Sequence, residues 1–203
     1  TAQLLEQRAA KDGNRENAQF LRRIRESADF MADLVDDMLD VSRIESGHME
    51  LKREPTDLAE LIEQALQVQR HTASRKEITL TQQTERGMVM DIDPRKMLQV
   101  IDNLTSNAIK YSPEGSEVFL NLKQNPESVL LEVIDQGCGI QPKDQKLIFQ
   151  PFGRAEDIET TGGESSTGLG LFISRSIVEA HGGQLTVDSD TARGSTFTMK
   201  LPA

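Results

Sequence analysis

The sequence predicts an α+β chain: a helical hairpin, then a sheet with its helices stacked on one face. Three observations predict it. A heptad-patterned stretch runs from Arg15 to Glu45. Beyond Gly47 the pattern changes to short alternating strands mixed with amphipathic helices, the order of a layered α+β domain. The 203 residues, 36% hydrophobic and 28% charged, suit a soluble globular chain of one domain plus an appendage.

Residues 1–10 read as a helix, and Lys11, Asp12, Gly13 and Asn14 as a turn. In the long helix, Phe20, Ile24, Ser27, Met31, Leu34, Met38 and Val41 alternate by four and three residues, a heptad seam. Ala28, Val35 and Leu39 broaden it into a stripe that suits a helical bundle. The long helix spans about 45 Å and the short one about 15 Å. So short a partner leaves most of the seam open. The expectation is that helix one continues upstream of Thr1 and that the antiparallel hairpin pairs with a second copy as a four-helix dimer. The alternative is a lone amphipathic helix docked on the next domain. Gly47 is the natural residue past the helix end, so the expected domains are 1–47, a partial dimerisation hairpin, and 48–203.

The second domain begins with a strand over 49–55. Thr56 or Asp57 caps a helix over 58–70. Segments 78–80 and 88–92 alternate like short strands. Asp93 starts the next helix with Pro94 at its first position, and Ser112, Pro113, Glu114 and Gly115 end it. Segments 118–122 and 129–134 are the clearest strands, joined through Asn125 and Pro126. Residues 143–149 read as a short helix and 154–167 as a mobile loop. A helix over 169–180 ends at Gly182 and Gly183. Strands 185–188 and 196–201 then pair across Arg193 and Gly194.

Composition excludes several classes. The net charge of -10 argues against a general nucleic-acid or anionic-membrane surface. The single cysteine, Cys138, excludes an internal disulfide and a cysteine zinc cluster. No apolar run approaches the roughly 18 residues of a membrane span, and no signal peptide is visible. The chain starts at Thr1 inside an apparent helix, so it reads as a fragment.

Four stretches carry chemistry. On the helix after Asp93, Leu98, Ile101, Leu104, Ala108 and Ile109 make an apolar face. Asn103, Asn107 and Lys110 form a separate polar stripe at i, i+4 and i+7. That stripe reads as a solvated face or as a surface for a metal–phosphate group. Asp135 ends a strand and opens Gln136-Gly137-Cys138-Gly139-Ile140. A carboxylate there suits an exocyclic amine, and the glycines allow close approach; the alternative is an ordinary glycine turn. Phe149, Pro151, Phe152 and Arg154 read as the base of a lid or as core packing beside a solvated arginine. Gly162 and Gly163, then Thr167, Gly168, Leu169, Gly170 and Leu171, lead into a helix whose N-terminus suits phosphate; the alternative is a hinge. Neither a Walker A nor a Rossmann fingerprint is present.

In this order the four stretches resemble the N, G1, F and G2 boxes of the ATP-binding catalytic part of sensor histidine kinases. These belong to the gyrase, heat-shock chaperone, histidine kinase and mismatch-repair ATPase superfamily. The stretch FMADLVDDMLDVSRIESGHMEL resembles the end of the kinase dimerisation hairpin, so the likeness covers nearly the whole chain. It implies a two-layer α/β sandwich with a mixed sheet, ATP and Mg²⁺ as cofactors, a homodimer through the N-terminal helices, and a response-regulator receiver domain as partner. It implies no nucleic acid, no membrane contact by this chain, and a cytoplasmic location, or the cytoplasmic portion of a membrane-bound sensor. Residue by residue, it implies Asn107 as Mg²⁺ ligand, Asn103 beside the metal or its water shell, Lys110 on phosphate and Tyr111 bordering the nucleotide. Asp135 would accept from the adenine amino group, with Gly137, Gly139 and Ile140 shaping the base pocket. Phe152, Arg154, Thr167, Gly168, Leu169, Gly170 and Leu171 would complete the nucleotide site, Gly168 and Gly170 carrying the lid.

In superfamily members that hydrolyse ATP, a glutamate matches Asn103 and activates water. An amide takes no proton at neutral pH, so the resemblance implies phosphoryl transfer to a histidine, then to an aspartate of a response regulator. The chain has His48, His71 and His181, none on helix one. The acceptor is therefore expected just upstream of Thr1, and this fragment is expected not to label itself. Two other classes compete. One is a nucleotide-sensing scaffold without kinase activity, which a full-length chain lacking that histidine would support. The other is an anti-sigma-type serine kinase, which the heptad helix and Asn103 argue against.

Overall fold

The heptad-patterned stretch forms a single helix, α1 (Arg15–Glu45), of 31 residues. Gly47 leaves it at φ +68°, and its N–H reaches the Ile44 carbonyl at 3.0 Å. Glycine takes that left-handed turn without a Cβ penalty. The seam stays open within the chain: Phe20 and Met31 are 67% and 58% exposed, and Ile24, Val35, Met38 and Leu39 are exposed as well.

This computed structural model describes residues 15–47, 49–85, 87–155, 160–161, 166–191 and 193–203. The expected helix over 1–10, the turn at Lys11 to Asn14, His48, Gly162 and Gly163, and much of the expected loop lie outside the described residues. The chain divides into two compact units, Thr1–Ser42 and Arg43–Ala203. Among the described residues no helix is long and apolar enough to cross a membrane.

In chain order the second unit runs β1 (Glu54–Asp57), α2 (Leu58–Arg75), β2 (Thr79–Thr84), β3 (Val89–Ile92), α3 (Pro94–Tyr111), β4 (Glu117–Asn125) and β5 (Ser128–Asp135). A 3-10 turn (Leu147–Phe149), α4 (Gly170–Ala180), β6 (Gln184–Asp190) and β7 (Gly194–Pro202) follow. Five strands form one sheet in the order β2-β4-β5-β7-β6. β2 runs parallel to β4, and the other neighbours are antiparallel, so the sheet is mixed.

Side chains alternate across a strand. Val118, Leu120 and Leu122 of β4, Val129, Leu131 and Val133 of β5, and Phe197, Met199 and Leu201 of β7 are thereby all buried on one face. The helices bury the complementary stripes: Leu58, Ile62 and Leu66 of α2, Ile101 and Leu104 of α3, Ile173 and Ile177 of α4. The architecture is the two-layer α/β sandwich that the resemblance implies.

Local expectations differ in four places. No strand forms at 49–53. β1 instead pairs antiparallel with β3, Glu54 opposite Ile92 and Asp57 opposite Val89, while the Lys52 N–H donates to Asp93 Oδ2 at 2.8 Å. Helix α2 continues to Arg75, because Gln69 and Ala73 prolong its buried stripe. The segment 143–149 is helical only as the 3-10 turn; the Gln145 amide bonds outward to the carbonyls of Ile140 and Ser189. On α3 the buried stripe is Met97, Val100, Ile101, Leu104, Thr105, Ala108 and Ile109, and Leu98 is only half-buried.

Candidate functional site

Helix α3 is the spine of the site, and its start is fixed from two sides. Asp93 caps it, Oδ1 accepting from the N–H groups of Arg95 and Lys96, each at 3.1 Å, with Pro94 in the first turn. Burial alone would raise the Asp93 carboxyl, but the N–H donors of Lys52, Lys96 and Arg95, with His181, outweigh it and hold its pKa below the ordinary value. The Asp93 N–H in turn donates to His181 Nε2 at 3.0 Å, and His181 Nδ1 donates to the Ile177 carbonyl at 2.8 Å. His181 is 4% exposed and ties the head of α3 to the end of α4. Burial, with the charge of Arg53, holds its pKa below the usual imidazole value against the Ile177 carbonyl and Asp93.

Asn103 and Asn107 lie one turn apart on α3. Asn103 Nδ2 donates to Ser174 Oγ of α4 at 2.9 Å. Asn107 Nδ2 points to Asn103 Oδ1 at 3.4 Å. The backbone of Gly170 comes so close to the Asn103 amide that a Cβ there would overlap Asn103 Oδ1. The start of α4 thus sits against the stripe expected to meet phosphate.

At the C-terminal end of α3, helix carbonyls lack intrahelical partners. Lys76 Nζ lies 3.2 Å from the Ile109 carbonyl, 3.4 Å from that of Lys110, and 3.0 Å from Thr161 Oγ1. Thr161 gives its N–H to the Lys110 carbonyl at 3.0 Å, and its hydroxyl lies 2.9 Å from the same carbonyl and 3.0 Å from that of Ser112. Lys76 and Thr161 escaped the sequence reading.

The Asp135 turn approaches α3 next. A Cβ on Gly137 would meet the Tyr111 carbonyl, so the turn passes against the end of the helix. Asp135 is 5% exposed. Its Oδ1 accepts from the N–H groups of Gly137 at 2.8 Å and Ser195 at 3.1 Å. Burial pushes its carboxyl above the ordinary range against those two donors. Gly139 takes φ +68°, and the Ile140 N–H donates to Ser189 Oγ at 2.8 Å, which fastens the turn to β6.

Phe152 holds a left-handed φ of +59° and is exposed. Non-glycine residues there cost about 1–2 kcal/mol. Gly168 packs on the Phe152 backbone, so the F and G2 stretches touch. Arg154 is exposed. Thr167 Oγ1 accepts the Leu169 N–H at 3.2 Å. Leu169 is fully buried, which makes its side chain a core residue, and Leu171 is half-buried. A separate cavity of about 420 Å³ lies between β3 and the end of β7, lined by Arg53, Asp91 and Gln124 among others. None of the expected site residues lines it.

Ser174 was also missed by the sequence reading. Its signal was a lone hydroxyl inside the apolar run from Leu171 to Val178, four residues after Gly170. Among the described residues no group of three or more His, Cys, Asp or Glu is placed to hold a metal. Asn107 Oδ1 is left without a protein donor among the described residues. One amide oxygen beside a glycine-lined helix start fits a cation that arrives carrying phosphate, since Mg²⁺ is commonly held by few protein ligands plus substrate phosphates.

A mixed sheet covered on one face by helices, with glycine turns gathered at one edge of the helix layer, defines an ATPase-type α/β sandwich. Residues 92–203 match the family described as histidine kinase-, DNA gyrase B-, and HSP90-like ATPase. Residues 1–47 match the His Kinase A (phospho-acceptor) domain. The chain belongs to this ATPase family, as a sensor histidine kinase core. It is 36% identical over its whole length to the sensor protein TorS of Escherichia coli, of which it spans 22%. Over 90% of the chain it is 35% identical to the sensor histidine kinase WalK of Bacillus subtilis, of which it spans 30%. Among solved structures, full-length ShkA in complex with AMPPNP is similar at a TM-score of 0.78 and 27% identity, over 92% of this chain and 39% of that one. The chain therefore spans under a third of these curated relatives.

Proposed function

We propose that the chain binds Mg-ATP and serves the transfer of the γ-phosphoryl group to a histidine, and from there to an aspartate of a response-regulator receiver domain. The proposal extends to a homodimer formed through α1, whose exposed seam is the kind of apolar surface that marks an interface. In this reading Asn107 Oδ1 meets the metal, Lys110 meets phosphate, and Asp135 Oδ2 accepts from the adenine amine while Oδ1 stays tied to Gly137 and Ser195. When bound, the metal neutralises phosphate charge, and catalysis is mainly positioning and electrostatics. Asn103 cannot take a proton from water, which favours transfer over hydrolysis. His181 is an unsuitable acceptor, since both ring nitrogens are bonded inside the fold.

The observation that carries this reading is the free Asn107 oxygen beside the start of α4. Titration calorimetry with ADP, with Mg²⁺ or with EDTA, tests it. Wild type should bind more tightly with the metal, and Asn107→Ala should lose that gain while keeping the metal-free affinity. Equal metal dependence in both proteins would remove Asn107 from the role.

A further inference from the structure

Three side chains from two helices form one polar chain with a direction. Ser174 Oγ accepts from Asn103 Nδ2 at 2.9 Å, and Asn103 Oδ1 faces Asn107 Nδ2 at 3.4 Å. Each amide has one oxygen end and one nitrogen end, so the first bond decides the rest. With its nitrogen on Ser174, Asn103 presents oxygen to Asn107. Asn107 must answer with its nitrogen, and its own oxygen then points away from the chain. A rotated Asn103 would set nitrogen against nitrogen and invite Asn107 to rotate too, turning an N–H donor towards a cation.

We infer that Ser174 is a positioning residue for metal-assisted nucleotide binding: through Asn103 it fixes which end of the Asn107 amide faces the metal. Three features support this. Ser174 is 1% exposed, so water does not compete for its hydroxyl. It lies on α4, 71 residues away in sequence, so the bond also registers α4 against α3. The Gly170 backbone crowds Asn103 from the same helix and leaves the amide little room to turn. The inference rests on Mg²⁺ being bound with the nucleotide at Asn107.

The test is a double-mutant cycle read as a ratio of affinities. ADP is titrated calorimetrically with Mg²⁺ and with EDTA, for wild type, Ser174→Ala, Asn103→Ala and the double variant. The metal-free affinity reports whether the pocket is folded, and the ratio reports the metal contribution. Ser174→Ala should cut the ratio about three- to tenfold, the worth of one ordering hydrogen bond, with metal-free affinity unchanged. On the Asn103→Ala background the Ser174 substitution should have no further effect on the ratio. A Ser174→Ala ratio equal to wild type overturns the inference, as does an effect that adds in full without Asn103. If wild-type affinity does not depend on the metal, the Mg²⁺ reading fails and takes this inference with it.

Discussion

His181 is the most informative residue to remove, because it stands between the two helices that build the site. His181→Ala deletes the acceptor of the Asp93 N–H and the donor to the Ile177 carbonyl, at a position 4% exposed. A buried donor left without a partner costs about 1–3 kcal/mol, and the space vacated by the ring adds to it. A total of about 2–4 kcal/mol corresponds to a melting temperature lower by roughly 4–16 °C for a unit of this size. The pH dependence is a second signature. The folded pKa of His181 lies below its unfolded value. Its contribution is therefore complete above the unfolded value of about 6.5 and is lost as pH falls from there through the folded pKa. Asp93 is also held below its ordinary value, so its contribution disappears only in the carboxylate range, well below that window. Thermal melts followed by circular dichroism from neutral to mildly acid pH separate the two. Wild type should lose stability just below the imidazole range, and His181→Ala should start lower without that step. An alanine variant with a melting temperature and pH profile like wild type would refute the tie between α3 and α4.

Two further substitutions probe the contacts around α3. Gly170→Ala suits a helix by about 1 kcal/mol, yet its Cβ overlaps the Asn103 amide; melts should change little, while ADP affinity with Mg²⁺ in calorimetry should fall about tenfold, a loss of roughly 1.4 kcal/mol. Thr161→Val removes the hydroxyl shared by Lys76, Lys110 and Ser112 and should cost about 0.5–1 kcal/mol in a urea titration; Lys76→Met should cost less on that background than alone, because the two share one network.

Much of the fold is legible where the signals are local. Asp93 and Pro94 announce the start of α3, and the heptad stretch gives α1 with the ends it has. The strand expected over 49–55 fails because β1 is defined by β3, more than 30 residues on, and no local alternation reveals that partner. The helix expected over 143–149 shrinks because the Gln145 amide finds carbonyls in another part of the chain. The four boxes are visible as motifs because glycine and asparagine are unusual where they stand. The contacts that order them are not. Ser174 meets Asn103, His181 meets Asp93, and Lys76 meets Thr161 across 71, 88 and 85 residues. Each is a common residue whose meaning comes only from the helix packed beside it.

The central claim is that Asn107 and Asp135 grip opposite ends of one nucleotide. A crystal structure of the chain grown with Mg²⁺ and a non-hydrolysable ATP analogue tests it directly. The account predicts the metal about 2.0–2.1 Å from Asn107 Oδ1, and the adenine amine within hydrogen-bond reach of Asp135, about 2.7–3.2 Å. A nucleotide bound elsewhere, or bound here with Asn107 turned away from the metal, would contradict it.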